Sequence, residues 1–250
     1  MSGSTQVAII GAGPYGLSLA AHLRARGIDF RIFGTPLNSW RTQMPKGMFL
    51  KSEGFASNLY DPDGAFTLER FCADKSLGYA DYNHPVPLET FCAYGLAFQQ
   101  RFAPMLEDEA VVELERTGEG YRLVLDNGET LTARKVVVAV GAGHFRFVPE
   151  ALKALPAEYL SHAADHHDLS RFAGRDVIVV GGGASAIDLV AVAGRGRRQC
   201  PPRRAPHRAA LEHAGASPGV EALVSDVRPR RRLAEPFLRE RADAVSPAAG

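Results

Sequence analysis

Residues 6–34 read QVAIIGAGPYGLSLAAHLRARGIDFRIFG, and this stretch decides the fold. The short apolar run QVAII is typical of a strand buried in a parallel sheet. It leads into GAGPYG and then into LSLAAHLRA, which predicts a helix that closes at Arg26 and Gly27. FRIFG at 30–34 predicts a second strand. Together these segments predict a βαβ unit of about 30 residues, the length that such a unit needs.

Each glycine of the GxGxxG turn has a mechanical reason. Gly11 allows the tight turn, Gly13 lets a diphosphate approach the backbone, and Gly16 lets the helix pack closely on the strand. The helix then presents free N–H groups and a partial positive charge. The acidic residue that often ends the second strand and binds a ribose is absent, because Gly34 stands there. We predict a dinucleotide site whose diphosphate binds the backbone of Gly11, Ala12, Gly13, Pro14, Tyr15 and Gly16. The alternative is a plain glycine-rich turn.

A second turn of the same kind follows the apolar run DVIVV at 176–180. Gly181, Gly183 and Ala186 form GxGxxA between this predicted strand and a helix that continues to about Ala193. Two such units indicate two nucleotides in one protein. The alternative is that the second unit is only a tight turn between a strand and a helix.

Between the two turns the pattern changes twice. Residues 40–104 are irregular except for a predicted helix, LETFCAYGLAFQQRF. AVVELER, YRLVLDN and ETLTA, separated by TGEG and NG, predict an antiparallel meander. KVVVAVGAG at 135–143 returns to the character of a buried strand. The predicted fold is α/β: a Rossmann-like nucleotide-binding domain with an antiparallel β-meander, followed by an incomplete second Rossmann-like unit.

Composition excludes several classes of protein. The chain has 250 residues and a net charge of +1, and its three cysteines form no CxxC, which favours neither a disulfide framework nor a zinc site. We interpret Cys72 and Cys92 as packing residues of a cytoplasmic protein. The glycine turns interrupt both long apolar stretches, so we predict no membrane segment. The histidines of SHAADHHDL at 161–169 lack a convincing metal-ligand spacing, and we expect a solvated linker without metal.

After Gly194 the helical periodicity disappears. RGRRQCPPRRAPHRAA at 195–210 cannot form a central strand because prolines donate no ladder hydrogen bonds, so we predict that the second parallel strand of this unit is missing. The tail at 195–250 has twelve arginines, no lysine and six acidic residues, with VEALV as its one strand-like run. We expect it to be weakly ordered and not to bind nucleic acid, since its arginines are mixed with the acidic residues and lack aromatic neighbours for base stacking. Our hypothesis is a chain truncated by a reading-frame disruption near residue 194.

GAGPYGLS, RIFGTPLNSWRTQMPKGMFLKSEGFASNL, VVVAVG and VIVVGGGASAIDLVA occur in this order. With them, residues 5–194 resemble the flavin-dependent, NAD(P)H-using oxidoreductases related to flavin-containing monooxygenases. The resemblance implies FAD at the first turn and NADPH at the second, with NADH as the alternative. For FAD it nominates Gly11, Gly13, Gly16, Trp40, Arg41, Gly141 and, through its backbone at the adenine, Val111. For the nicotinamide nucleotide it nominates Gly181, Gly183, Ser185 and Ala186.

The resemblance implies domains at 1–150 for FAD and, from 170 to 194, the start of a domain for NAD(P)H. NADPH would reduce the flavin, which would pass electrons onward to a small-molecule substrate or, in the monooxygenase branch, to oxygen. Of that branch's signature only His162 is retained, and catalytic residues and oligomeric state stay open. Lys51 and Ser52 are candidates for lining the flavin end. The alternative function is a catalytically incomplete nucleotide-binding fragment of such an enzyme.

Overall fold

The computed structural model describes residues 3–194 and the strand at 220–224. The strands are β1 Gly3–Ile10, β2 Phe30–Phe33, β3 Val111–Thr117, β4 Gly120–Leu125, β5 Thr130–Val138, β6 Leu160–His162, β7 Asp176–Val180 and β8 Val220–Val224. The helices are α1 Pro14–Ala25, α2 Asn38–Thr42, α3 Leu68–Asp74, α4 Leu88–Phe102 and α5 Ala184–Gly194. The predicted α/β class is confirmed.

The larger sheet has the strand order β2-β1-β5-β4-β3. β1 lies parallel to β2 and β5, while β3, β4 and β5 form an antiparallel meander. Ala8 and Ile9 of β1 are both fully buried. Because neighbouring residues of a strand point to opposite faces, both faces of β1 are covered, which explains its unbroken apolar sequence. The predicted βαβ unit and meander are therefore confirmed.

The division of ETLTA and KVVVAVG into two strands is wrong. Both belong to β5, whose residues 130–133 pair antiparallel with β4 while 131–138 pair parallel with β1. Arg134, which lies between the two predicted segments, and Lys135 are exposed. They do not interrupt the strand because backbone groups, and not side chains, make the ladders along its two edges.

An aromatic cluster holds the irregular region at 40–104 together, and α4 supplies most of it, at the bounds predicted from the sequence. Ring centroids within the cluster are 4.6 to 6.4 Å apart. Its members are Phe66, Phe71, Tyr94, Phe98 and Phe102.

Burial raises the pKa of the Cys72 thiol, and it raises the pKa of the Cys92 thiol to about 11. Both thiols are thus held in the neutral form, which suits the packing role predicted for them.

The smaller sheet corrects the prediction of a missing strand. Its order is β6-β8-β7, with both pairs parallel, and β8 follows β7 along its whole length. The proline-rich segment after α5 does not have to form this strand, since the apolar VEALV beyond it does so. Only the strand itself must supply ladder N–H groups. The rest of the predicted tail lies outside the described residues.

The prediction of a solvated linker at 161–169 is also wrong, because His162 and His166 are buried. The Nδ1 atom of His162 accepts a hydrogen bond from the Ala164 amide at 3.1 Å, and the Asp165 carboxylate accepts one from the His162 amide at 3.0 Å. The His166 ring meets Phe172 edge-on, with the ring centroids 4.9 Å apart. Both imidazoles therefore have structural roles in a turn.

Tyr94 provides a test of the aromatic cluster. Its buried hydroxyl donates to the Phe66 carbonyl at 2.8 Å and accepts from the Leu59 amide at 3.1 Å. In Tyr94→Phe both backbone groups lose this partner, so we expect the free energy of unfolding to fall by about 1–3 kcal/mol. Urea denaturation followed by circular dichroism measures the change. The largely exposed Tyr60 gives the control Tyr60→Phe, with an expected change below about 0.5 kcal/mol; an equal loss in both variants would contradict the assignment.

Asp61 organises the turn DPDG at 61–64. Its carboxylate is buried and accepts hydrogen bonds from the amides of Phe66, Ala65 and Asp63 at 3.0 to 3.1 Å. Burial raises the pKa of this carboxyl, but the three backbone hydrogen bonds outweigh that effect, so the pKa lies below its ordinary value. The ionised carboxylate therefore stabilises the folded chain.

We expect this stabilisation to depend on pH. It is present above the unfolded-chain pKa of about 4 and is lost as the pH falls through the lower folded-state pKa. Asp61→Asn should accordingly lower the free energy of unfolding at pH 7, and the gap to the wild type should shrink in acid. Denaturation curves of both proteins from pH 7 to pH 2 measure this, and a gap that is independent of pH would refute it.

Candidate functional site

A cleft of about 590 Å³ opens at the carboxyl ends of the parallel strands β1, β2 and β5. This edge of an open α/β sheet is where ligands ordinarily bind, and the volume lies within the range of ligand pockets. Its walls are formed by the first glycine turn, the residues after β2 and β5, helix α2, which contains Trp40, the start of β3, and one face of α5. We refer to this space as the central cleft.

Gly11 and Gly16 have the tight-turn and close-packing roles that the sequence predicted, while the diphosphate contact at Gly13 stays a prediction. Gly11 has a φ of +116°, and a Cβ there would lie 2.3 Å from the Ala139 carbonyl oxygen of the residue after β5. At Gly16 a Cβ would lie 1.9 Å from the Gly11 carbonyl oxygen. At Gly13, by contrast, a Cβ would meet no heavy atom within 4 Å, and the space in front of it is the central cleft.

The N-terminus of α1 faces the central cleft. Gly13 is the N-cap residue, Pro14 is the first helical residue, and no side chain of the described part of the chain caps the helix. The first-turn amides, together with the positive end of the helix dipole, are therefore available to an anion. Pro14 and Tyr15 line the cleft, and the Tyr15 side chain is 88% exposed.

The other residues nominated for FAD divide into two groups. Ala12, Trp40, Val111 and Gly141 line the central cleft. Arg41 lies outside the lining, where its exposed guanidinium donates to the Pro36 carbonyl at 3.3 Å.

Helix α2, which carries Trp40, is fixed by α4. A Cβ at Gly95 of α4 would lie 2.2 Å from Cδ1 of Leu37, the N-cap residue of α2, so the two helices approach closely. The Leu37 amide donates to the Ala12 carbonyl at 3.0 Å, and the Trp40 ring lies 4.7 Å from that of Phe91. The Trp40 wall of the cleft is therefore held by both α4 and the first glycine turn.

The second glycine turn faces the same cleft through α5. Ser185 lines the cleft, Ala186 is buried, and Gly181 has a φ of +141°. Gly181 and Gly183 lie outside the lining, although a Cβ at Gly183 would meet no heavy atom within 4 Å. The structure thus brings one of the four residues nominated for the nicotinamide nucleotide to the cleft.

Sequence reasoning missed three charged residues of the lining: Asp188, Arg146 and Glu109. Asp188 is a buried carboxylate on the otherwise apolar α5, and its charge within an apolar helix was a signal that could have found it. Arg146, after β5, forms an ion pair with Asp165. No local pattern distinguishes Arg146 from other surface arginines.

Burial raises the pKa of the Asp165 carboxyl. The hydrogen bond from the His162 amide and the charge of Arg146 outweigh burial, so this pKa lies below its ordinary value.

Lys51 and Ser52 do not line the flavin end of the cleft as expected. The Lys51 ammonium forms an ion pair with the Asp188 carboxylate. The Ser52 hydroxyl is 2.7 Å from that of Ser57.

Within the described residues there is no group of three or more histidine, cysteine, aspartate or glutamate side chains that could hold a metal ion. The described helices also include none with the length and apolar character needed to cross a membrane.

Comparison with known proteins gives one family. The model of the pyridine nucleotide-disulphide oxidoreductase family matches residues 8–193, which include both glycine turns. The chain is 29% identical over 193 residues to the indole-3-pyruvate monooxygenase YUCCA1 of Oryza sativa subsp. japonica, covering 72% of this chain and 43% of that protein. It is 39% identical over 132 residues to a ferredoxin–NADP reductase of Granulibacter bethesdensis, covering 48% of this chain and 37% of the reductase. The chain therefore spans less than half the length of these two relatives.

A solved structure supports the fold. The flavin-containing monooxygenase from Stenotrophomonas maltophilia superposes with a TM-score of 0.64 at 21% sequence identity, covering 92% of this chain and 80% of the monooxygenase chain. At this identity the likeness concerns the arrangement of the backbone.

Gly16 and Gly13 provide a matched test of the first turn. The Cβ of Gly16→Ala would clash with the Gly11 carbonyl, so we expect a loss of about 3 kcal/mol in the free energy of unfolding. Gly13→Ala should stay within about 1 kcal/mol of the wild type, because its Cβ points into open space and alanine is only a poorer N-cap. Chemical denaturation measures both. If the two substitutions were equally harmful, close packing at Gly16 would not be what the turn requires.

Proposed function

Because the chain belongs to the pyridine nucleotide-disulphide oxidoreductase family, we propose that it is an FAD-dependent oxidoreductase whose flavin is reduced by NAD(P)H. The observation that carries the proposal is the geometry of the first glycine turn. The turn leaves open space in front of Gly13 and directs the uncapped N-terminus of α1 into the central cleft. A diphosphate can approach the backbone there because no Cβ stands in its way.

The remaining cleft residues fit the two ends of a flavin nucleotide. Val111 lies at the start of β3, where its backbone could meet an adenine. Gly141, with a φ of +72°, lets the chain turn at the wall of the cleft, where its backbone would face the cofactor. Trp40 is held against Phe91 and forms an apolar wall. These residues would orient the cofactor and exclude water from it.

The nicotinamide nucleotide would bind at the second turn. Ser185 faces the cleft from the first turn of α5, where helix amides and a hydroxyl together suit a diphosphate. The name of the Granulibacter bethesdensis relative includes NADP, which supports NADPH as the partner, with NADH as the alternative.

The chemistry would come from the cofactors. When bound, the flavin would accept a hydride from NADPH and pass the electrons to an acceptor, which is oxygen in a monooxygenase-like reaction. The similarity to YUCCA1 and to the flavin-containing monooxygenase favours that branch. The task of the chain is to hold two nucleotides at one cleft, and we assign no side chain to proton transfer. The substrate is a small molecule whose class stays open.

We also propose that the two functions divide along the chain. The larger sheet and the first turn lie within residues 3–138, and the smaller sheet with the second turn lies within 160–224. This arrangement supports a flavin domain at 1–150 and the start of a nicotinamide domain at 170. A cytoplasmic location stays a prediction.

The absorbance spectrum of the purified full chain, after incubation with FAD and gel filtration, tests the proposal. We expect bound flavin, and we expect NADPH added under nitrogen to bleach it. Failure of the folded protein to retain FAD would refute the proposed function. Retained flavin that NADPH does not bleach would favour the alternative, a nucleotide-binding chain without turnover.

A matched pair of glycine variants locates the site. Gly13→Ala places a methyl group where the diphosphate would lie, so we expect FAD affinity to fall at least about tenfold while the protein stays folded. Gly118→Ala is the control, because a Cβ at Gly118, in the turn between β3 and β4, would also meet open space and lies far from the cleft lining. Flavin fluorescence titrations measure both affinities. Unchanged affinity in Gly13→Ala would show that the diphosphate does not bind at this turn.

A further inference from the structure

Asp188 is the charged exception in α5. The helix reads ASAIDLVAVAG, and Asp188 is its one ionisable residue. The residue is only 9% exposed, although Ile187 and Val190 of the same helix are 63% and 50% exposed. The carboxylate therefore points inward while apolar neighbours face outward, an arrangement that costs free energy unless the charge is paired.

Its partner comes from the segment between α2 and α3. An antiparallel bridge between Phe49 and Pro87 joins the segment just before Lys51 to the start of α4. The Lys51 ammonium group forms an ion pair with the Asp188 carboxylate. The Lys51 side chain is 55% exposed and that of Asp188 is 12% exposed. The charge of Asp188 is thus balanced by a residue 137 positions away in sequence, in the part of the chain that belongs to the larger sheet.

The position of the pair relates it to the second nucleotide. Asp188 lies three residues after Ser185, so the two side chains share one face of α5. Both line the central cleft. The pair therefore lies one helical turn beyond the position proposed for the diphosphate of the nicotinamide nucleotide. There it joins the helix that would bind this nucleotide to the part of the chain that would bind FAD.

Other contacts connect the part of the chain before β3 to the smaller sheet, but they do not reach α5. The Lys46 amide donates to the His167 carbonyl at 2.7 Å, and Nδ1 of His167 lies 2.6 Å from the Met44 carbonyl oxygen. These bonds reach the segment between β6 and β7. On α5, Leu189, which also lines the cleft, packs with Ala163 and Phe172 in a small apolar cluster of the smaller unit.

We propose that Lys51 and Asp188 form a positioning pair that fixes α5 against the flavin side of the cleft and so sets the affinity for the nicotinamide nucleotide. The inference rests on the proposed function. Without the ammonium group, the buried carboxylate would be left uncompensated. It would then either move α5 or present a bare negative charge to the phosphates of the nucleotide, and both effects weaken binding.

The test uses the full FAD-loaded chain and separates the two affinities. NADP⁺ binding is followed by the change in flavin absorbance, and FAD binding by flavin fluorescence. We expect Lys51→Met to raise the dissociation constant for NADP⁺ about tenfold, a size typical of coupling between sites, with FAD affinity within about twofold of the wild type. Lys51→Arg, which keeps the charge, should bind NADP⁺ nearly as the wild type does.

The double variant distinguishes a pair from two independent residues. Because Lys51→Met/Asp188→Asn removes both charges, we expect it to bind NADP⁺ no more weakly than Lys51→Met alone. Lys153→Met is the matched control, since it removes the 2.7 Å ion pair with Glu150 in the segment between the two sheets and should leave both affinities unchanged. Should Asp188→Asn not fold, the comparison of Lys51→Met with Lys51→Arg decides.

The inference is overturned if Lys51→Met binds NADP⁺ as the wild type does, if Lys51→Arg is as weak as Lys51→Met, or if the losses of the two single variants multiply in the double variant. These results are distinct from a failure of the proposed function. That failure would show in the wild type itself, as a folded chain that takes up no FAD or, once loaded, gives no response to NADP⁺, and it would remove the inference as well.

Discussion

The turn between β1 and α1 has no room for a side chain at Gly11 or Gly16, and the rest of the structure depends on this constraint. A Cβ at either glycine would lie within 2.3 Å of a backbone oxygen. The close approach at Gly11 brings β5 beside the turn, and the approach at Gly16 sets α1 against β1. The N-terminus of α1 consequently points into the cleft at the carboxyl edge of the sheet, where its partial positive charge faces any bound anion.

The helical region between β2 and β3 supports this edge. The contact between Leu37 and Gly95 connects the loop after β2 to α4, and the hydrogen bond from Leu37 to Ala12 connects the same loop to the first glycine turn. Because α4 is anchored in the aromatic cluster around Tyr94, the Trp40 wall of the cleft has a rigid support. Side chains that line a binding cleft are held best by such packed elements.

The second unit repeats the strand–turn–helix arrangement with looser packing. A Cβ has no room at Gly16, whereas the equivalent position of the second turn is occupied by Ala186, which carries one. Ion pairs and hydrogen bonds between polar groups, such as Arg146 with Asp165, connect this unit to the larger sheet. Since contacts of this kind exchange more easily than apolar packing, the two halves of the cleft differ in how firmly they are fixed.

Sequence alone determined the βαβ unit, the bounds of α4, the meander and the two glycine turns, because each depends on local periodicity or on residues that only a tight turn requires. It failed where distant segments meet. Nothing local shows that 130–138 forms one strand, since that strand is defined by its partners on both edges. Nothing local assigns VEALV to a place beside β7, or Lys51 to Asp188. Strand pairing and the neutralisation of a buried charge are decided by which surfaces come together, and only the tertiary structure brings them together.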